Sequence, residues 1–393
     1  MGDNTTDNTG KVLGVYPIFF CYAFFLSMLG QFIPYMQERH GIALGSAGLF
    51  STLQSIGGIV AVLICVVFFD ALNKPKVLGL LGLCFAGLMA LLGAAPHIWL
   101  VFALFLFVGF VSSLINTLSN AVVSDHTMHR RSLFLNLLHG FFGLGGAVGS
   151  QVTSAVSSAF DMGQAFLYYS VFSLLCVTLY IWTIRDDFRR PLLAVRASFS
   201  DHIVAFKKAA GIKGMGTVAA VSFFNAFFTI NILYWTYSFV LGIGRSPVLA
   251  ALAVTAYFVA LTLSRFISAL FTRRVGPRGF VAAGSLTGVV FAALASFSGN
   301  PAFAILMFGM VGLCTGNNFP QIMAESCTLA PDTTAAASGI MMLGYFLAAV
   351  IAPPLIGWIG DMLGLTYGLL INALMLLPAG LLALGFRRNA SYR

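Results

Sequence analysis

Charged side chains are scarce in this chain of 393 residues: Asp, Glu, Lys and Arg make up 8% of it. Apolar residues make up 59%, and the mean hydropathy is +0.94. A soluble domain carries about 25% charged residues, because its surface must be solvated by water. So few polar groups cannot cover a compact soluble fold of this size. The composition therefore predicts that lipid is the solvent for most of the surface.

The sequence also lacks the motifs of metal sites and of common enzymes. Its six cysteines lie within or at the ends of apolar segments, with no CxxC pair and no histidine at ligand spacing, which argues against disulfides and zinc. It has no HExxH, no paired carboxylates in one span, no nucleophile elbow and no P-loop. We therefore expect no catalytic residue, cofactor or metal, and neither an enzyme nor an ATP-driven pump.

The net charge of +9 does not indicate a nucleic-acid partner. The basic residues occupy short breaks between apolar runs instead of one face of a domain, which is typical of membrane topology signals. They concentrate in alternate breaks, and this bias predicts a multi-pass protein of the plasma membrane with both termini cytoplasmic. The first dozen residues lack a basic n-region followed by a short apolar core, so we expect the first apolar segment to be retained as a helix.

Twelve apolar segments are long enough to cross a bilayer, since a spanning helix needs about 20 apolar residues. The predicted spans are 15–33, 49–69, 77–95, 98–123, 132–156, 164–184, 216–241, 247–271, 280–297, 301–324, 334–359 and 365–386. Their grouping predicts an all-α polytopic membrane protein with an N-terminal six-helix bundle at 1–184, a cytoplasmic connector at 185–213 and a C-terminal six-helix bundle at 214–393.

The predicted connector carries Phe199, Ile203 and Phe206 at helical spacing among several cations. This pattern favours an amphipathic helix at the membrane surface, held by anionic lipid and by the bundle. A solvated linker is the alternative.

The two groups of six spans show traces of a duplication. The second span ends on the run from Asp70 to Lys76, and about 203 residues later the eighth span ends on Arg273 to Arg278. Each run is a turn former followed by cations. The same offset sets Gly109 on Gly312. Parallel duplication of a six-helix unit explains these matches.

The run after the second span resembles the signature of major facilitator transporters between helices two and three, which is an Asp, a cation, a Gly turn and further cations. Asp70 matches, Asn73 stands where Gly is usual, and Lys74 and Lys76 supply the cations. Asn is the best residue after Gly for a left-handed turn. The resemblance covers essentially the whole chain and implies a monomer with two pseudo-symmetric halves that moves a small solute by alternating access.

Two further runs resemble the fucose permease-like branch of that superfamily, whose members are sugar:proton symporters. They are residues 135–145 of the fifth span, preceded by Arg130 and Arg131, and the fourth-span run from Gly109 to Asn120. The resemblance implies a sugar as the solute.

Proton coupling in that branch is linked to an acid in helix one and another in helix four. Here Asn116 stands at the helix-four position, and the first span holds no acid inside it. His139 lies within a span, and the unperturbed pKa of histidine is near neutral pH. It is therefore our candidate for proton handling, with packing as the alternative role. We expect facilitated diffusion or exchange, with weak dependence of transport on a proton gradient. If transport is coupled, the coupled species is a proton or a counter-substrate.

Amide and aromatic side chains within apolar spans are the candidates for solute binding, because polar groups in a membrane are retained where they face a cavity or another helix. They concentrate in spans one, four, seven and ten, which line the pathway in the superfamily that the chain resembles. Each amide could instead tie helices together. The candidates are Gln31, Gln54, Asn116, Asn120, Asn225, Asn231, Trp235, Tyr257, Asn317, Asn318, Gln321 and Tyr345, of which we single out Asn116, Asn317 and Asn318.

Charged residues near the cytoplasmic ends of the spans are candidates for gating ion pairs that break as the halves rock. Glu325 in particular is expected to pair with Arg265 or Arg273, since a lone carboxylate beside apolar helices is costly. The candidates are Asp70, Lys74, Asp125, Arg131, Arg265, Arg273 and Glu325.

Three functions remain open at this point. The leading one is a carrier for a small neutral polar solute such as a sugar, since amides and aromatic rings suit hydroxyl groups. A drug or lipid exporter is favoured by the Phe-rich spans and by the scarcity of pathway charge. A receptor or a membrane enzyme is the alternative outside transport.

Overall fold

The structure is a computed structural model that describes residues 9–68, 72–127, 130–192 and 199–386. These residues are almost entirely helical, and twelve of the helical segments are long and apolar enough to cross a membrane. The all-α architecture with twelve spans is thereby confirmed. The helices are α1 (Thr9–His40), α2 (Leu44–Phe68), α3 (Lys74–Ala94), α4 (Ile98–His126), α5 (Arg131–Ala159), α6 (Met162–Thr183), α7 (Arg185–Phe188), α8 (Phe199–Ala210), α9 (Met215–Gly244), α10 (Pro247–Ser296), α11 (Pro301–Thr315), α12 (Asn318–Leu329), α13 (Thr334–Leu363), α14 (Leu365–Leu374) and α15 (Leu376–Ala383).

The spans follow this order of helices. Spans one to six are α1 to α6, and span seven is α9. Spans eight and nine are the two arms of α10, which bends at Gly276, where φ is +64° and Pro277 follows. Span ten is α11 with α12, span eleven is α13, and span twelve is α14 with α15. Because the number of spans is even, both ends of the described chain lie on one face of the bundle, here called the terminal face; the other is the opposite face.

Side-chain caps fix where several spans begin. The Asn73 side chain accepts a hydrogen bond from the Lys76 amide, the Asp161 carboxylate from the Gln164 amide at 2.8 Å, and the Asn300 side chain from the Ala302 amide at 2.9 Å. Such caps satisfy amides that have no partner in the first turn of a helix.

Spans ten and twelve are each broken into two helices, where the sequence predicted continuous spans. In both cases a proline explains the break. Pro320 has no N–H to donate to the carbonyl of Gly316, and Pro378 has none for Leu374, so each chain segment leaves the helical path at that turn. The carbonyl of Gly316 is consequently available to a side chain.

The two halves use equivalent helix–helix contacts. Gly109 of span four packs on the backbone of Gln54 in span two, and Gly312 of span ten packs on the backbone of Tyr257 in span eight. Each residue of the second pair stands 203 positions after its counterpart, the offset found in the sequence. A Cβ at either glycine would overlap a carbonyl oxygen of the facing helix, so the close approach depends on the missing side chain.

The first part of the segment predicted as a connector is bound to the N-terminal spans. Lys11 and Asp187 form an ion pair at 2.6 Å that is largely shielded from solvent, and Lys76 Nζ donates to the carbonyls of Phe188 and Arg190 at 3.0 Å. The later part forms the helix α8, which contacts α13 and α9. The helix expected around Phe206 is therefore present.

We predict that Gly109→Ala destabilises the protein by about 1–3 kcal/mol, because spans two and four must move apart to admit the methyl group. Gly87→Ala is the matched control, since a Cβ at Gly87 meets nothing within 4 Å. Thermal unfolding of both variants in detergent measures the effect. Equal melting temperatures for the two variants would contradict this account of the packing.

Candidate functional site

A cavity of about 180 Å³ lies at the centre of the bundle, between spans one, two, four and five on one side and spans seven, eight, ten and eleven on the other. One water molecule needs about 15 Å³ of such a cavity, so there is room for roughly ten water molecules or for one small solute. Both groups of six spans contribute to the wall. A rocking motion of one group against the other would therefore change access to the cavity.

Amides and hydroxyl groups form the polar part of the wall. Gln54, Asn116 and Asn225 face the cavity from spans two, four and seven. Tyr234 donates a hydrogen bond to Gln54 Oε1 at 2.9 Å, which leaves the NH₂ group of Gln54 as the donor for a ligand. Hydroxyl groups of the same wall belong to Ser51, Ser55, Ser112, Ser113, Thr117 and Thr229.

A second layer of side chains holds Asn225 in place. Asn318 Nδ2 donates to Asn225 Oδ1 and to Ser285 Oγ, each at 3.1 Å. Asn318 is 1% exposed and does not line the cavity. Its contact with Asn225 fixes the orientation of an amide that does.

Aromatic rings form the rest of the wall. Tyr22, Tyr257 and Tyr345 each combine an apolar ring with a hydroxyl group, and Phe142 and Phe319 add apolar faces. Tyr345 meets Phe319 edge to face, with ring centroids 5.7 Å apart. Rings of this kind stack on the apolar face of a solute while their hydroxyl groups bond to its polar edge.

Arg265 is the cation of the wall, and it lies inside span eight. Its Nε donates to the carbonyl of Gly316 at 3.2 Å, the carbonyl that Pro320 leaves without a helical donor. Its Nη1 lies 3.5 Å from His139 Nδ1 in span five, and the guanidinium carbon lies 5.6 Å from the ring centre of Phe142. Arg265 thus links the helix break of span ten to the N-terminal half.

The structure brings seven of the sequence candidates to this cavity. They are Gln54, Asn116, His139, Asn225, Tyr257, Arg265 and Tyr345.

The remaining candidates for solute binding lie behind the wall. Gln31 Nε2 donates to the Ser150 carbonyl at 2.8 Å, and this bond ties span one to span five. Asn120 Nδ2 bonds to the Asn116 carbonyl one turn earlier at 2.8 Å. Asn317 and Gln321 are buried at the break of span ten, as is Asn318.

Asn231 and Trp235 belong to a buried network between spans seven and twelve. Trp235 Nε1 donates to Asn231 Oδ1 at 3.1 Å, and Asn231 Nδ2 donates to Asn372 Oδ1 at 3.1 Å. Asn372 in turn donates to the Phe228 carbonyl at 3.2 Å. This network has the geometry of a tie between helices.

The candidate gating charges are spread over several parts of the bundle and do not form one cluster. Lys74 Nζ and Asp125 Oδ2 form an ion pair at 2.7 Å that joins spans three and four within the N-terminal half. Glu325 is 4% exposed in α12. The Arg265 guanidinium borders the cavity and contacts the Gly316 carbonyl and His139, and among the described residues no ion pair joins it to a carboxylate. Asp70, and the side chains of Arg131 and Arg273, lie outside the described part of the chain.

Several wall residues were missed by the sequence analysis. Tyr22 lies in a span rich in phenylalanine, and Thr117, Thr229 and the serines belong to a residue type that also bonds within its own helix. A stripe of Phe19, Tyr22, Leu26 and Leu29 at helical spacing was visible in span one. The sequence does not distinguish this stripe from the other faces of the same helix, because the helix is apolar on all sides.

The cavity is sealed toward the opposite face by contacts between spans two and eleven. Gly48 packs against Pro354, and Ser51 Oγ donates to the Ala349 carbonyl at 2.9 Å. At the end of the span, the Asp361 carboxylate accepts the amides of Leu44 and Gly45, at 3.0 and 2.8 Å. These amides belong to the first turn of α2, where a negative charge is stabilised by the helix dipole.

A second seam on the same side joins spans five and eight. Ser150 Oγ donates to the Ala251 carbonyl at 3.0 Å, and Gln151 Nε2 donates to Thr255 Oγ1 at 3.1 Å. Thr255 also donates to the Ala147 carbonyl. Both seams join the two halves on the side of the cavity that lies away from the chain ends.

Comparison with known proteins agrees with this architecture. The family model described as Major Facilitator Superfamily matches residues 15–253 and 215–392. No curated protein sequence matches the chain.

Three solved structures resemble it over nearly their whole length. A mutant of the nucleoside transporter NupG has a TM-score of 0.76 at 14% identity, with 96% of this chain and 98% of that chain covered. A D-xylose-proton symporter has 0.75 at 12%, covering 99% and 100%. A bacterial homologue of the human lysosomal transporter Spinster, inward-facing and unoccupied, has 0.74 at 11%, covering 98% and 97%. At these identities the likeness shows the fold.

We predict that Asp361→Asn loosens the seal between spans two and eleven. Loss of the charge and of one acceptor at the start of α2 removes about 1–2 kcal/mol, or about 5- to 30-fold in the equilibrium between sealed and open states. The readout is labelling of a Ser55→Cys variant, at a position in the cavity wall, by a membrane-impermeant thiol reagent added to the opposite face.

Asp161→Asn is the matched control, because Asp161 caps α6 on the same face within one half. Labelling should rise in the Asp361 variant and stay at the starting level in the Asp161 variant. Equal labelling of the two variants would show that the carboxylate of Asp361 does not hold the seal.

Proposed function

The chain belongs to the major facilitator superfamily and is a membrane transporter, and we propose that it carries a small hydroxylated solute of the sugar class by alternating access of its central cavity. The observation that supports the proposal is the wall of the cavity. It combines amides, hydroxyl groups and tyrosines from both halves and is sealed on one face. Such a wall satisfies the donors and acceptors of hydroxyl groups and stacks on a sugar ring.

The names of two structural neighbours support the same class of solute. One is a nucleoside transporter and the other a D-xylose-proton symporter, and both names denote ligands with several hydroxyl groups. An exporter of apolar compounds is the second candidate, favoured by the phenylalanines Phe19, Phe142, Phe258 and Phe346 in the wall.

The distribution of Lys and Arg supports a cytoplasmic terminal face. Lys74 and Lys76 lie at that face, as do Arg130 and the described parts of the predicted connector, whereas Arg39 and Arg245 are the Lys or Arg residues that the structure describes in the opposite loops. With this orientation in the plasma membrane, the seal closes the cavity to the outside. Outward opening requires spans two and eleven, and spans five and eight, to separate while the Gly109 and Gly312 contacts stay closed within each half.

The solute-binding role of the wall amides is tested by substitution. Asn116→Ala and Asn225→Ala should each weaken binding of the transported solute by about 3- to 10-fold, since each removes hydrogen bonds worth about 0.5–1.5 kcal/mol. Gln164→Ala, in an exposed amide of span six, is the control. The measurement is uptake and binding by proteoliposomes over a panel of sugars, sugar acids and apolar drugs. Unchanged affinity in both wall variants would contradict the assignment of this cavity.

Energy coupling follows from the positions of the titratable groups. None of the described residues that line the cavity is an acid, and His139 is the histidine among them, the residue type that most often carries protons in proteins. We predict weak stimulation of uptake by a pH gradient, and loss of any stimulation in His139→Gln. Strong accumulation of solute driven by a pH gradient, persisting in the His139 variant, would exclude this scheme.

A further inference from the structure

The wall of the central cavity holds a positive charge and, among the described residues, no negative one. The sequence has twelve Asp and Glu residues, and none of them lines the central cavity in the described part of the chain. The acids of the described residues lie at span ends, in connections or, for Glu325, in the last turns of span ten. Among the described residues, Arg265 is the sole Lys or Arg of the cavity wall.

The hydrogen bonds of Arg265 leave most of its guanidinium available. A guanidinium has five N–H donors. Among the described residues, one N–H is taken by the Gly316 carbonyl at 3.2 Å, and a second points to His139 Nδ1 across 3.5 Å, a long distance for a hydrogen bond. The side chain is partly exposed, and the space that it meets is the cavity.

A purely structural role does not account for this arrangement. Anchoring the broken span ten needs one donor to Gly316, whereas a guanidinium within a membrane is costly unless an anion accompanies it. The contact with Phe142 stabilises a cation by a modest amount, about 0.5–2 kcal/mol. The fold thus positions an arginine whose anionic partner is not supplied by the cavity wall.

We propose that the transported solute itself carries a carboxylate, which the free edge of the Arg265 guanidinium binds. This inference rests on the proposed function and narrows it to hydroxylated carboxylates, of which sugar acids are the simplest. An arginine presents two parallel N–H groups that match the two oxygens of a carboxylate. The amides and hydroxyl groups of Gln54, Asn116 and Thr229 remain for the hydroxyl groups of the solute.

The experiment compares acids with uncharged partners of the same skeleton. The pairs are D-glucuronate and D-glucose, D-gluconate and D-sorbitol, L-lactate and 1,2-propanediol, and benzoate and benzyl alcohol, all at constant ionic strength. Purified wild type, Arg265→Gln, Arg265→Lys and Arg189→Gln are tested by ligand-induced thermal stabilisation and by uptake into proteoliposomes. Arg189 is an exposed arginine outside the cavity, so its variant controls for the loss of one positive charge.

We expect at least one acid to stabilise the wild type and to enter the vesicles, with an affinity at least 10-fold above that of its uncharged partner. Arg265→Gln should abolish this difference, Arg265→Lys should retain part of it, and Arg189→Gln should behave as the wild type. The comparison of acid and partner in the wild type stands even if a variant does not fold.

Two other outcomes are distinguishable. Transport of an uncharged member at least as well as its acid, or binding of an acid that is unaffected by Arg265→Gln, would overturn the inference and leave the proposed function intact. Failure of every sugar, polyol and hydroxy acid to bind or enter, with the aromatic pair transported, would overturn both.

Discussion

Hydrocarbon offers no hydrogen bonds, so a backbone carbonyl that loses its helical donor in a membrane must find another one. This constraint explains why the twelve spans are helical. It also means that a carbonyl exposed by a helix break needs another hydrogen-bond donor. Pro320 deprives Gly316 of its donor, and the Arg265 guanidinium supplies one. The same bond brings a cation to the centre of the bundle. A local break in span ten is therefore coupled to the charge of the site.

Small residues allow close packing of the helices within each half. Gly109 and Gly312 admit the backbone of a facing helix at equivalent positions of the two halves, so spans two and four, and spans eight and ten, are packed at their closest approach. The contacts between the halves combine glycine packing, as at Gly48, with polar bonds. These bonds join hydroxyl groups and the Asp361 carboxylate to backbone atoms. Bonds of this kind can be exchanged for water when a seam opens, which suits a surface that must separate repeatedly.

Polar residues within the spans divide into two groups that the sequence does not distinguish. Gln54, Asn116 and Asn225 face the cavity, whereas Gln31, Asn231 and their neighbours bond to adjacent helices. An amide carries the same chemistry in both settings. The difference is the direction in which the helix turns it, and a helix that is apolar on every side gives no hydrophobic stripe from which that direction could be read.

The composition and the spacing of residues along the chain were enough to predict a membrane protein with twelve spans. They were also enough to predict that its two halves are related by a repeat. These properties follow from local physics, the length of an apolar helix and the turn chemistry between helices. Only the tertiary structure decided that Arg265, His139 and Gly316 meet, and that Asp361 caps a helix more than 300 residues earlier in the chain. Those contacts depend on the rotation and packing of whole helices, and that information is spread over every span that touches them.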